Sequence, residues 1–208
     1  MSAMAQGSRE IRDPFEWFDT WFKDGLATGL ENADAMTLST IALDGRPSSR
    51  IVLLKAVEEG RFCFFTNYDS RKAREMSANP FVTLTFLWPT LNRQVRVEGR
   101  VDKLPRERSE AYFATRPRGS QIGAWASSQS SRINAYSDLE ARVREYEAKF
   151  KDQVVPCPPN WGGYGVLPAR IEFWTGKPSR LHERMVYERG QKSVDAHEAA
   201  WSTHLLSP

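Results

Sequence analysis

The sequence predicts a mainly β fold, an antiparallel barrel with flanking helices, and three observations carry that expectation. From Ala35 onward, apolar residues recur at every second position in five or six short runs, the period of half-buried strands. Helical periodicity is confined to the stretches before, between and after those runs. The 208 residues are 40% hydrophobic and 12% aromatic, with seven Trp, which is enough apolar surface for a core.

In chain order, residues 1–12 are small and polar and are expected to be disordered, which leaves 13–208 as one domain. Asp13-Pro14-Phe15-Glu16 reads as a helix start, with Asp13 as the cap, Pro14 in the first position and Glu16 in the third. Phe15, Phe18 and Phe22 follow at helical spacing and point into a core. The period then changes: AMTLSTIAL, Asp44-Gly45 and SSRIVLLKAV read as a β-hairpin. Arg61 to Thr66 and Phe81 to Leu87 are short β-rich runs, and Gln94 to Val101 alternates cleanly. Between them, Ser70 to Ala78 reads as a short helix stopped by Asn79-Pro80. Asp138 to Lys151 is an amphipathic helix, with Leu139, Val143 and Tyr146 spaced for one buried stripe. VVPCPPNWGG reads as a loop, and Ile171 to Trp174 and Leu181 to Tyr187 as the last strands.

A net charge of +3 is slight and argues against a nucleic-acid partner. Cys63 and Cys157 form no C-x-x-C pattern, so neither a disulfide framework nor a metal site is expected. Cys63, inside an apolar run, reads as buried filler. MSAMAQGSRE lacks the apolar stretch of a signal peptide, and no run is long enough for a membrane helix, so the sequence points to the cytoplasm.

Four stretches carry chemistry. Tyr112 to Arg132, YFATRPRGSQIGAWASSQSSR, is crowded with donors, as a phosphate ester requires: cations to neutralise it and short hydroxyl or amide groups to fix its oxygens. Pro117 breaks any continuous helix, so the stretch reads as a helix ending near Thr115, a bend, and a second short helix from about Gly119. Ile122 and Trp125 anchor it to a core; without those anchors it would read as a solvated polar loop. In SSRIVLLK, Arg50 is a cation in the middle of an apolar strand and Lys55 closes it; such a charge is paired, faces a ligand, or sits at a wet barrel rim. Arg50 and Lys55 are an odd number apart, so a regular strand puts them on opposite faces. TNYDSRK, Thr66 to Lys72, offers a strand end and a helix start with Arg71 and Lys72, suited to a phosphate but also found on plain surfaces. In Arg180-Leu181-His182-Glu183-Arg184, a strand would point Arg180, His182 and Arg184 to one face, opposite an anion or as a charged sheet edge.

YFATRPRGSQIGAWASSQSSR resembles the signature segment of the pyridoxine (pyridoxamine) 5′-phosphate oxidases, and the likeness extends from about Asp13 to Glu188. It implies a split β-barrel, antiparallel and Greek-key-like, with FMN as cofactor, in a homodimer that binds the flavin between subunits. By resemblance, Lys55, Tyr112, Arg116 and Ser120 hold the substrate phosphate, and Arg180 and His182 cover the substrate ring as the catalytic pair, with His182 the candidate base. The cofactor set is Arg50, Ile51, Val52, Leu53, Leu54 and Lys55, with Phe65, Thr66, Arg71, Lys72, Gln94, Gln129, Ser130, Trp174 and Arg184. Read without the resemblance, Trp174 is a core residue and Gln94 a surface one.

The implied reaction moves a hydride from C4′ of pyridoxine or pyridoxamine 5′-phosphate to flavin N5, giving pyridoxal 5′-phosphate, with O2 as acceptor and hydrogen peroxide as product. No membrane, nucleic-acid or metal partner is implied. The chain departs from the family pattern at its N-terminus, which offers only Arg9 and Arg12, at Phe65 where tyrosine is common, and at its His204-Leu205-Leu206-Ser207-Pro208 end. A flavin oxidase acting on a phenazine precursor and a non-catalytic flavin- or haem-binding split barrel are the alternatives. The set Lys55, Tyr112, Arg116 and Ser120 speaks against the first, since a substrate without phosphate has no use for it.

Overall fold

A computed structural model of the chain describes residues 13–190 and 201–208. The N-terminal segment expected to be disordered, with its Arg9 and Arg12, and also His197, lie outside the described residues.

Helix α1 spans Pro14–Ala27, and Asp13 caps it: its Oδ1 accepts the backbone N–H of Phe15 at 2.8 Å and of Glu16 at 3.1 Å. Those are two of the donors that a helix start leaves without a partner. The buried face of α1 carries Phe18 and Trp21 onto the sheet. Phe18 meets Phe62 at 4.9 Å and Phe86 at 5.0 Å edge to face, and Trp17 stacks on Phe173 at 4.3 Å. Gly25 marks the closest approach, since a Cβ there would lie 2.4 Å from the indole nitrogen of the fully buried Trp88. Truncating a ring such as Phe18 to Ala costs about 3–5 kcal/mol, because the cavity cannot collapse.

Among the described residues nine strands form one antiparallel sheet: β1 Ala35–Ile41, β2 Pro47–Leu53, β3 Ala56–Glu58, β4 Arg61–Asn67, β5 Phe81–Trp88, β6 Arg93–Lys103, β7 Trp161–Thr175, β8 Glu183–Arg189 and β9 Trp201–Leu205. The main path runs β2-β1-β5-β6-β7-β4-β3, with β8 on β7 and β9 on β8. Helix α2, Arg71–Ala78, joins β4 to β5, and α3 Arg106–Thr115, α4 Arg118–Ala126 and α5 Tyr136–Lys149 lie between β6 and β7. These three helices cover a smaller core of Phe113, Ile122, Phe150, Val155 and Trp161.

β7 divides the sheet. Its first part, Trp161 to Val166, pairs with β4, and its last part, Arg170 to Thr175, pairs with β8, while β6 follows it along both. The register slips opposite Glu98 and Gly99, where a Cβ on Gly99 would sit 2.2 Å from the carbonyl oxygen of Leu167. Only glycine allows the backbones to come so close at this bend.

Four sequence expectations need correction. VVPCPPNWGG is not loop throughout: Trp161, Gly162 and Gly163 already belong to β7, stitched to Asn67, Thr66 and Phe65. β7 is 15 residues long and not the four from Ile171 to Trp174. The last hairpin strand starts at Glu183, because Pro178–Arg180 turns as a 3-10 helix and Ser179 and Arg180 take positive φ of 57° and 61°. Arg180, His182 and Arg184 therefore do not alternate along one strand. The helix expected from about Gly119 begins one residue earlier, at Arg118.

Candidate functional site

A cleft of about 900 Å³ opens where β4, the end of β2, α3 and α4 meet. Ile51, Val52, Leu53 and Lys55 line it from the β2 side and Phe65, Thr66 and Asn67 from β4. Lys72, Gln129, Tyr112, Arg116, Ser120 and Trp161 close it. Pro117 is what puts Arg116 and Ser120 at one mouth: it ends α3, holds Arg116 extended at ψ 148°, and lets α4 start afresh.

Two of the cleft's three cations, Lys72 and Arg116, have no carboxylate paired with them among the described residues. Lys72, 7% exposed, donates from Nζ to Thr66 Oγ1 at 2.8 Å, Gln129 Oε1 at 3.0 Å and Ser70 Oγ at 3.1 Å, all neutral oxygens. Burial, with the charge of Arg50 adding to it, pushes its ammonium down to about 8. The Arg116 guanidinium lies 4.7 Å over the Trp161 ring, and its Nη1 is buried with no hydrogen-bond partner among the described residues. Burial lowers its pKa as well. An orphaned buried donor of a cation costs free energy unless an anion accepts from it. Beside it, Tyr112 stacks on Phe65 at 4.0 Å, and Phe65 on Trp161 at 5.6 Å.

Lys55 reaches this cleft because the chain changes partners beneath it: Leu54 N–H bonds Asp34 O, whereas Lys55 N–H bonds Cys63 O on β4. The bend carries Lys55 to the cleft, while Arg50, an odd number of residues away, does not line it. Leu54 itself turns into the core.

Arg50 and Arg71 stand apart from the cleft lining, tied together by Glu75. Glu75 Oε2 accepts from Arg50 Nη2 at 3.1 Å and Thr40 Oγ1 at 2.5 Å, and Oε1 accepts from Arg71 Nε at 2.8 Å. Arg50 also donates to Ser48 Oγ, Thr40 Oγ1 and Leu38 O. Burial pushes the Glu75 carboxyl up, but the Thr40 and Arg71 hydrogen bonds and the charges of Arg50 and Arg71 outweigh it, so the net direction is down. Ser130, exposed with φ of 71°, follows Gln129 at the cleft edge.

The remaining expected residues gather elsewhere. Gln94, Trp174 and Arg184 are neighbours in one row across β6, β7 and β8. The His182 ring lies 4.7 Å from that of Trp174, and its Nδ1 accepts the backbone N–H of Lys177 at 3.1 Å. A neutral His182 therefore carries its proton on Nε2. Arg184 donates from Nε to Glu172 Oε1 at 2.8 Å, and Arg170 occupies the other oxygen at 2.9 Å. Burial pushes Glu172 up, and hydrogen bonds from Arg184 and Arg170 reverse the sign, leaving it low. Arg180 is exposed on the neighbouring turn. Trp161 and Trp174 lie at opposite ends of β7, about 40 Å of strand apart at ~3.3 Å per residue.

Sequence reasoning missed Trp161, Asn67 and the two carboxylates Asp34 and Glu75. Glu75 was readable from its position four after Arg71, a helical pairing distance; Asp34 leaves no local signal. Among the described residues no group of His, Cys, Asp and Glu is placed to hold a metal ion, and no helix is long and apolar enough to cross a membrane.

Comparison with known proteins bears on both groups. Residues 22–150 match the family model described as pyridoxamine 5′-phosphate oxidase, and residues 161–208 match that of the pyridoxine 5′-phosphate oxidase C-terminal dimerisation region. The pyridoxine/pyridoxamine 5′-phosphate oxidases of Paraburkholderia phytofirmans and Paraburkholderia xenovorans are each 53% identical over 197 residues, 95% of this chain and 90% of theirs. The crystal structure of PhzG from Burkholderia lata 383, in complex with tetrahydrophenazine-1-carboxylic acid, matches with a TM-score of 0.87 at 25% identity, covering 100% of this chain and 98% of that one. A pyridoxamine 5′-phosphate oxidase-related, FMN binding protein from Nostoc punctiforme shares the split-barrel fold, with a TM-score of 0.74 at 16% identity over 96% of this chain and all of its own. With one family model spanning more than half the chain and relatives 53% identical over nearly its whole length, the chain belongs to the pyridoxine/pyridoxamine 5′-phosphate oxidase family of oxidoreductases.

Proposed function

We propose that the protein is an FMN-dependent oxidase that converts pyridoxine 5′-phosphate or pyridoxamine 5′-phosphate to pyridoxal 5′-phosphate. The observation that carries this reading is the unpaired cation in the cleft: Arg116 Nη1, buried and without a partner, beside Ser120 and Tyr112. A phosphate ester supplies the acceptor that this donor lacks. The names of the 53% identical relatives support the same substrate class.

The donor set also fits the cofactor. Lys72, held among Thr66, Ser70 and Gln129 with no carboxylate, has the chemistry to take the FMN phosphate, and the polar row Gln94, Trp174 and Arg184 suits the edge and face of a flavin ring. Bound there, FMN supplies the hydride acceptor at N5 and returns the electrons to O2 with release of hydrogen peroxide. The chain's own part is orientation. Lys55, Arg116, Ser120 and Tyr112 fix the phosphate end of the substrate, and that binding free energy is used to hold C4′ in place. Arg180 and His182 cover the ring, and a base is needed for the proton of the alcohol or ammonium group; the imidazole of His182 is our assignment for that role, its Nδ1 lone pair becoming free when the Lys177 N–H lets go of it.

The two groups of residues are complementary halves, and a homodimer supplies both to each site. The match of residues 161–208 to a dimerisation region supports that arrangement. The resemblance to the phenazine-bound structure favours a second reading, an FMN oxidase acting on a carboxylated polycycle. The test is to mix FMN-loaded protein with pyridoxine 5′-phosphate without oxygen and follow the visible flavin band. Bleaching that reverses in air is expected; a flavin that stays oxidised with this substrate but bleaches with a reduced phenazine carboxylate would establish the second reading instead.

A further inference from the structure

Asp34 engages the cleft from outside it. It precedes β1, and its two ends act on consecutive residues: its carbonyl accepts Leu54 N–H at 2.9 Å, and its carboxylate accepts Lys55 Nζ at 2.7 Å. Both side chains are largely covered, at 27% exposure for Lys55 and 23% for Asp34. No residue lining the cleft is acidic, and no ion pair of the described residues includes Lys72 or Arg116. Of the cleft's three cations, Lys55 alone is neutralised, and Asp34 does it.

We propose that Asp34 tunes the anion affinity of the cleft by competing with the ligand's phosphate for Lys55. The ligand class rests on the function proposed above. With the cleft empty, Asp34 holds the ammonium; when a phosphate arrives, Lys55 exchanges one charge-assisted hydrogen bond for another. The attraction between Lys55 and the phosphate is thereby partly offset, and a standing negative charge remains near the bound anion. Asp34 touches Lys55 and does not itself line the cleft, so it is a positioning residue. Its backbone bond to Leu54 does not depend on the side chain, so Asp34→Asn removes the charge and keeps the bend.

The experiment titrates the FMN-loaded protein with pyridoxal 5′-phosphate and reads the dissociation constant from the perturbation of the flavin spectrum. Asp34→Asn is expected to tighten binding about 3- to 10-fold, the worth of one partly covered ion pair, and Asp34→Ser is expected to do the same. In a Lys55→Met background the Asp34 substitution is expected to have no effect, a coupling that a purely structural role would not produce. Unchanged or weaker binding in Asp34→Asn, or an equal shift with and without Lys55, would overturn the proposal. If the wild-type protein binds no pyridoxal 5′-phosphate, the proposed function fails, and the same series with inorganic phosphate judges Asp34 separately.

Discussion

The cleft beside β4 and the far end of β7 hold their cations in opposite ways. In the cleft, Lys72 rests on hydroxyl and amide oxygens and Arg116 on an indole face. At the far end, Arg184 and Arg170 share the buried carboxylate of Glu172, and the half-buried groups beside them are a ring, an amide and an imidazole. The first region is short of negative charge; the second is balanced. The difference teaches what each suits: the cleft, with two unpaired cations, suits an anion, while the far end offers planar and hydrogen-bonding groups to something already neutral.

The largest effect is expected from breaking the cleft. Arg116→Ala should lower kcat/KM for pyridoxine 5′-phosphate about 100-fold, the loss of one charge-assisted contact in a desolvated site, while FMN stays bound. Arg180→Ala should also lower turnover with the flavin retained. Mixed after co-expression, the two impaired variants should recover about a quarter of wild-type activity, since half the dimers are mixed and each of those carries one intact site. No recovery would mean that both groups serve a site within one subunit.

Arg50→Ala tests the Glu75 bridge. It leaves a buried carboxylate with less than its full set of partners, so unfolding in urea should show a loss of about 2–3 kcal/mol, and FMN should dissociate more readily. If Arg180→Ala released flavin to the same degree, the division of the molecule into a phosphate end and a ring end would be wrong.

A smaller effect follows from Lys72, whose ammonium titrates near 8 in the cofactor-free protein against 10.5 ordinarily. Its charged form is the one that holds an anion, so FMN affinity should fall as pH rises through about 8, by at most about tenfold per unit for one proton. Stability should move the other way. Between about 8 and 10.5 the unfolded chain binds more protons at this site than the folded one, so the cofactor-free protein gains stability as pH rises across that window. Fluorescence titration of FMN and thermal melts over the same buffers separate the two, and Lys72→Met should flatten both profiles.

Much of the fold was legible because its signals are local. Asp13 and Pro14 announce α1, Asp44-Gly45 the first hairpin, and Pro117 the break between α3 and α4. What was missed depends on distant partners. Trp161-Gly162-Gly163 has the composition of a loop and becomes strand because β4 pairs with it, a case of pairing overriding propensity. The alternation Arg180, His182, Arg184 looks like a strand, yet positive φ at Ser179 and Arg180 curls its first part into a turn. In the site, residue types were readable but their grouping was not: nothing in the spacing of Arg116 and Trp174 says that Arg116 packs on Trp161, at one end of the strand whose other end carries Trp174. Nor does Asp34 lie near Lys55 in sequence, and their ion pair exists only because the hairpin folds one over the other.

The pairing of β6 with β7 also sets an order of events in synthesis. Its partners lie 61 residues apart at Lys103 and Tyr164 and 82 apart at Arg93 and Thr175, with α3, α4 and α5 between them. Contacts of that sequence separation close late, after the intervening chain has emerged and the entropy of the long loop has been overcome. Trp161 and Trp174 therefore take their places together, when β7 docks, and a nascent chain holds neither end of the site until nearly all of it has been made.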